Sequence, residues 1–110
     1  MTGIPKQFQK FTKTFPKVAR AYEDIGEAVH GAGPLDEKTR ALIKIGISTG
    51  ARLEGAFHSH VRKALKAGTS IEEIQHAVII ALPTIGLPST MAAMSWLDDV
   101  ASGKAVRRKK

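Results

Sequence analysis

The chain has 110 residues, 43% of them apolar and 25% charged, and it contains no cysteine. That is enough for one soluble domain with its own core, and it excludes disulfides, thiolate metal sites and thiol nucleophiles. The net charge of +7 sits at the ends: residues 1–20 and 101–110 each carry five basic and no acidic side chains, whereas residues 21–100 hold seven basic against ten acidic. Basic ends on an acidic body argue against a nucleic-acid-binding domain, which would concentrate its charge on the body. No apolar run reaches the roughly 18 residues of a membrane span. The opening MTGIPKQFQKFTK lacks the apolar stretch and cleavage signal of a secretory peptide, so the expected compartment is cytoplasmic.

No strand-like alternation is present, and Gly/Pro punctuation divides the chain into helical segments. They predict an all-α helical bundle of five to six helices in a single domain, 1–110. Its parts are a basic arm over 1–14, a helical core over 15–103 and a basic tail over 104–110. A first short helix is expected over 5–12, with Phe8, Phe11 and Phe15 on one side. A second starts with Thr14 as N-cap and Pro16 in the first turn. Its Phe15, Val18, Tyr22, Ile25 and Val29, spaced by threes and fours, predict one buried stripe ending at Gly31-Ala32-Gly33-Pro34. The third, over about 36–49, is apolar nearly all round (Ala41, Leu42, Ile43, Ile45, Ile47), as a central helix would be. The fourth spans about 53–67 and stops at Gly68. The fifth opens on a capping box, Ser70 with Glu73, and runs to Pro83, which ends or kinks it. A last helix from about Pro88 is expected to turn Met91, Ala92, Trp96, Leu97 and Val100 inward. The preceding Gly86 is read as packing and helix initiation.

The fourth segment contains GARLEGAFHSHV, residues 50–61, with one glutamate and two histidines. At about 100° per residue, Leu53, Ala56, Phe57, His60, Val61 and Ala64 share a face. His60 lies in the middle of that stripe. Burial there would keep its imidazole neutral, which makes it the candidate proton relay; the ordinary alternative is a hydrogen-bonded core histidine. Glu54 and His58, spaced i and i+4, sit together on the flank as weaker candidates, with Arg62, Lys63 and Lys66 toward solvent. His58 and His60 are about 200° apart and cannot hold one ion together. Glu54 and His58 alone supply two ligands where a stable site takes at least three. No metal or other cofactor is therefore expected.

From Leu35 to Val100 the chain resembles the carboxymuconolactone decarboxylase-like family, which includes the alkylhydroperoxidase D-like proteins. Four stretches carry the resemblance: LDEKTRALIKIGISTGA, HVRKALKAG, TSIEEIQHAVIIAL and TIGLPSTMAAMSWL. It implies an alkylhydroperoxidase D-like all-α fold assembled into trimers or hexamers. Thiol-dependent members carry a Cys pair four residues before a histidine, and a glutamate one helix earlier. Here the histidine falls on His60, the cysteines on Leu53 and Ala56, and the glutamate on Ala41. Without thiols the chain cannot run the peroxidase cycle of its peroxiredoxin-like relatives.

The decarboxylase branch implies a small organic acid or lactone near His60, with Arg40 or Arg52 holding a carboxylate. A non-catalytic oligomeric scaffold or small-ligand-binding protein is the alternative, and the sequence leaves open whether the chain is an enzyme at all. The third helix has no clear polar face, and the fifth is apolar almost continuously from Ile74 to Ala81. Together with the resemblance this predicts self-association as a homotrimer or homohexamer.

Overall fold

The fold is given by a computed structural model, which describes residues 6–103; the basic tail at 104–110 and the first five residues of the arm lie outside the described residues. Among the described residues seven helices follow one another: α1 (Lys6–Thr14), α2 (Pro16–His30), α3 (Glu37–Gly50), α4 (Glu54–Lys66), α5 (Ile71–Ile79), α6 (Leu82–Ile85) and α7 (Leu87–Ala101). Among the described residues there is no strand, and no helix is long and apolar enough to cross a membrane.

The core belongs to α3, α4, α5 and α7. Ile45 of α3, Phe57, Val61 and Ala64 of α4, Ile74 and Val78 of α5, and Ala93 and Leu97 of α7 are buried together. Trp96 meets Phe57 edge-on, with ring centroids 5.6 Å apart. Burying a ring the size of Phe57 contributes about 1.5–3 kcal/mol. Thr90, Ala93 and Leu97 form the inward face of α7, and their mostly small side chains let the helix approach closely. Met91, expected inward, stands one position off that face and is exposed.

Helix ends follow local chemistry. Asp36 caps α3 by accepting from the Thr39 N–H at 2.9 Å. Ser70 and Glu73 form the expected capping box at the head of α5, each side chain accepting from the other's backbone N–H. Thr14, expected to cap α2, is instead the last residue of α1; Phe15 takes the N-cap position and makes no side-chain cap bond. The fifth helix stops at Ile79 rather than at Pro83. A proline in a continued helix would clash with the carbonyl four residues back, which is that of Ile79. Pro83 instead occupies the first turn of α6, where its missing N–H is harmless.

The largest departure from expectation is α2. Its apolar stripe is not buried: Phe15, Val18, Tyr22, Ile25 and Val29 are each more than half exposed. Alternating spacing shows that a helix has an apolar side, but not what covers it. The principal neighbour of α2 is α1, and the two helices make an arm beside the four-helix core. The Cα radius of gyration, 14.4 Å, accordingly exceeds the roughly 13 Å of a compact chain of this length.

Candidate functional site

The fourth helix decides where each histidine goes. Its buried residues are Phe57, His58, Val61 and Ala64. That face lies about 60° round the helix from the centre of the expected stripe. Leu53, counted in the expected stripe, is the N-cap residue and is half exposed. Phe57 and Val61 set the inward direction, because they pack into the core, where Phe57 meets Trp96 of α7. The two histidines therefore exchange places. His58, expected on an exposed flank, is 2% exposed within the core. His60, expected in the apolar stripe, is half-buried and opens onto a cleft.

The cleft, about 250 Å³, lies between the first turns of α3 and the second half of α4. Glu37, Arg40, Ala41 and Lys44 line one wall, spaced so that they share a face of α3. His60, Lys63, Lys66 and Ala67 line the other, and His30 at the end of α2 closes one side. Lys63 and Lys66, expected to face solvent, are exposed and at the same time line the cleft. Four cationic side chains thus converge with two imidazoles and one carboxylate.

Both rings and the Lys44 ammonium feel that crowding. Burial, then the charges of Lys63 and Lys44, hold the His60 imidazole below its usual range. His30 is lowered first by Lys44, then by burial, Arg40 and Lys63, with Glu37 opposing. The Lys44 ammonium, itself lowered by burial and by Lys63 and Arg40, donates to Nε2 of His30. A neutral His30 carrying its proton on Nδ1 fits that contact. Arg40 donates through Nη1 to the Leu35 carbonyl, while its Nε is buried with no hydrogen-bond partner. The cleft therefore holds positive charge, a neutral imidazole and one unsatisfied guanidinium donor.

The remaining sequence candidates lie elsewhere. Arg52 does not line the cleft; it is exposed and donates from Nη1 to Ser89 Oγ at 3.1 Å. Glu54 is in the first turn of α4, its Oε2 3.6 Å from His58 Nε2, on the side away from His60. Ala41, where the resemblance places a glutamate, lines the cleft with His60. His30, Glu37, Lys44, Lys63 and Lys66 were not singled out from the sequence. The 37–40–41–44 and 60–63–67 spacings were available as a signal, since each puts its residues on one helix face. What spacing alone lacks is that those two faces oppose each other.

Comparison with known proteins agrees with this architecture. Residues 16–99 match the model of the carboxymuconolactone decarboxylase family. A Haemophilus influenzae protein is 34% identical over 61 residues, which cover 56% of this chain and 54% of that protein, so the match spans about half of the relative's length. An apo crystal structure of a carboxymuconolactone decarboxylase family protein from Legionella pneumophila is similar with a TM-score of 0.78. The identity is 25%, over 90% of this chain and 88% of the other.

Proposed function

Because the chain belongs to the carboxymuconolactone decarboxylase family, we propose that it binds a small organic acid or lactone carboxylate in the cleft between α3 and α4 and acts on it through His60. The observation that carries this reading is the convergence of Arg40, Lys44, Lys63 and Lys66 beside His60 in one partly enclosed space. Carboxylates recognise such a cation cluster, and charge-assisted hydrogen bonds supply about 1.5–3 kcal/mol each. In a decarboxylation the bond to the departing CO2 breaks with its electron pair left on the substrate carbon. The proton that this carbon needs is relayed by His60, which takes it up from the substrate acid or solvent. Thiol peroxidase chemistry has no part, since the chain has no cysteine.

Succinate, a simple dicarboxylate, serves as the binding probe in a calorimetric titration at low salt. Binding is expected, with Lys63→Ala weakening it about tenfold or more. Release of CO2 from 3-oxo acids and carboxylated lactones then tests turnover, which His60→Ala abolishes while succinate still binds. A folded protein that binds no small carboxylate overturns the reading. Binding without turnover of any substrate makes the cleft a ligand site of a non-catalytic protein.

The same reading includes self-association as a trimer or hexamer. It rests on the exposed stripe Phe15–Val18–Tyr22–Ile25–Val29 and on Ile43 and Ile47 of α3, also exposed in the single chain. Contiguous apolar surface of this kind marks interfaces. In sedimentation, Tyr22→Glu combined with Ile25→Glu is expected to give a smaller species than the wild type. A wild type that sediments as a monomer at micromolar concentration removes this part.

A further inference from the structure

On the side of α4 away from the cleft, Glu54 and His58 stand one turn apart, and Asp99 of α7 approaches them. From this geometry we propose that Glu54, His58 and Asp99 bind a divalent first-row transition-metal ion, of the Zn2+ or Mn2+ class. The site does not depend on the organic ligand of the cleft. One imidazole nitrogen and one oxygen from each carboxylate lie within 4.8 Å of one another. His58 Nε2 and Glu54 Oε2 are 3.6 Å apart, longer than the roughly 2.7–3.2 Å of an N–H···O bond. Two ligands on a tetrahedral ion with bonds of about 2.0–2.2 Å are separated by about 3.3–3.6 Å. The pair thus has the spacing of ligands across an ion.

The donor set and burial point the same way. One imidazole nitrogen with two carboxylate oxygens suits the borderline ion Zn2+ and, through its two oxygens, the harder Mn2+. Two anionic carboxylates with a neutral ring balance a doubly charged cation. His58 is 2% exposed, so the packed core orients its ring before any ion arrives. Glu54 has a side chain 45% exposed, which gives the ion a path from solvent. The third ligand comes from a different helix, so binding would tie α4 to α7 and register in the stability of the fold.

The test uses the full chain without a histidine tag, stripped with a chelator and dialysed against Zn2+ or Mn2+, with metal content measured by mass spectrometry. About one ion per chain is expected, with a thermal midpoint that rises with ion concentration. Glu54→Gln and Asp99→Asn keep the side-chain shapes, and each is expected to lower metal affinity at least about tenfold. Glu54 is exposed, so its variant reports on binding even where a core change fails to fold; circular dichroism checks the helices of both. Lys63→Ala and His60→Ala, on the cleft side, leave affinity unchanged. A folded wild type that retains neither ion overturns the proposal, leaving His58 as an imidazole bridging two carboxylates. So does retention undiminished in both Glu54→Gln and Asp99→Asn, or loss of the ion in His60→Ala.

Discussion

Two histidines two residues apart on α4 live in opposite surroundings. His58 is sealed in the core with carboxylates for company, on the side where α7 packs. His60 faces a cleft of cations against the first turns of α3. The helix separates them by about 200° of rotation, so a shift of two positions in sequence exchanges an acidic environment for a basic one. Identical side chains acquire different roles because α4 is a partition, not because either residue is unusual in itself. His58 is held by packing on every side, and His60 by packing on one side only.

The widest gap between the two faces should appear in stability. Emptying the His58 position with Ala removes a fully buried ring and leaves Glu54 and Asp99 without the imidazole between them. A loss of about 2–4 kcal/mol is expected in urea denaturation, the range for emptying a core side chain. His60→Ala should cost under about 1 kcal/mol, since one edge of its ring already faces the cleft. Equal losses at both positions would mean that α4 does not divide the molecule in this way.

How much of this division was legible in the sequence differs between its two levels. That a helix runs from about Leu53 and ends before Gly68 could be read from spacing and from the glycine. The all-helical class and the capping box at Ser70 were legible for the same reason, because they depend on neighbours in the chain. Which way α4 turns was not. The apolar count included Leu53 and Ala56, and only the contact of Phe57 with Trp96, 39 residues on, fixes the true inward direction. Asp99 could not be placed beside His58 from sequence, since it comes from another helix. The stripe on α2 failed in a different way: its pattern was real, but no core helix of the same chain covers it.

Acid offers a gentler way to separate the faces. Asp36 caps α3, which carries the cleft wall; Ser70 and Glu73 cap α5, which packs into the core. A side-chain and backbone hydrogen bond from Thr39 holds the Asp36 carboxyl below its ordinary 3.8. The Ser70 N–H, and to a lesser degree Lys38, hold Glu73 below 4.5. With folded-state values depressed, the stabilisation is present above the ordinary values and is lost as pH falls through the lowered ones. The thermal midpoint should therefore be flat in this respect above about pH 5 and decline below about pH 4. Ser70→Ala should cost about 1 kcal/mol at neutral pH, and Glu73→Gln should flatten the part of the acid decline that Glu73 supplies. Asp36→Ala should also weaken succinate in the cleft, because the first turn of α3 carries Glu37 and Arg40. Ser70→Ala should leave succinate binding unchanged.

The smallest effect concerns the two turns that bracket α4 and hold its rotation. Both use the same closure. After α4 the Thr69 N–H bonds back to the Ala64 carbonyl at 3.0 Å, with Gly68 at φ 95°. Before α4, Leu53 N–H bonds back to Ser48 at 2.9 Å and Arg52 N–H to Thr49 at 3.2 Å, but the left-handed position is Arg52 at φ 58°. An L side chain there costs about 1–2 kcal/mol relative to glycine, and glycine gives part of that back through the freer unfolded chain. Arg52→Gly should therefore raise stability slightly, by up to about 1 kcal/mol in urea denaturation. The bond from Arg52 to Ser89 is exposed, and its loss is worth little against relief of the backbone. A variant that is less stable than the wild type would show that Arg52 anchors the head of α4 to α7 through Ser89. In that case the rotation separating His58 from His60 would be set at the turn as well as by the packing of Phe57.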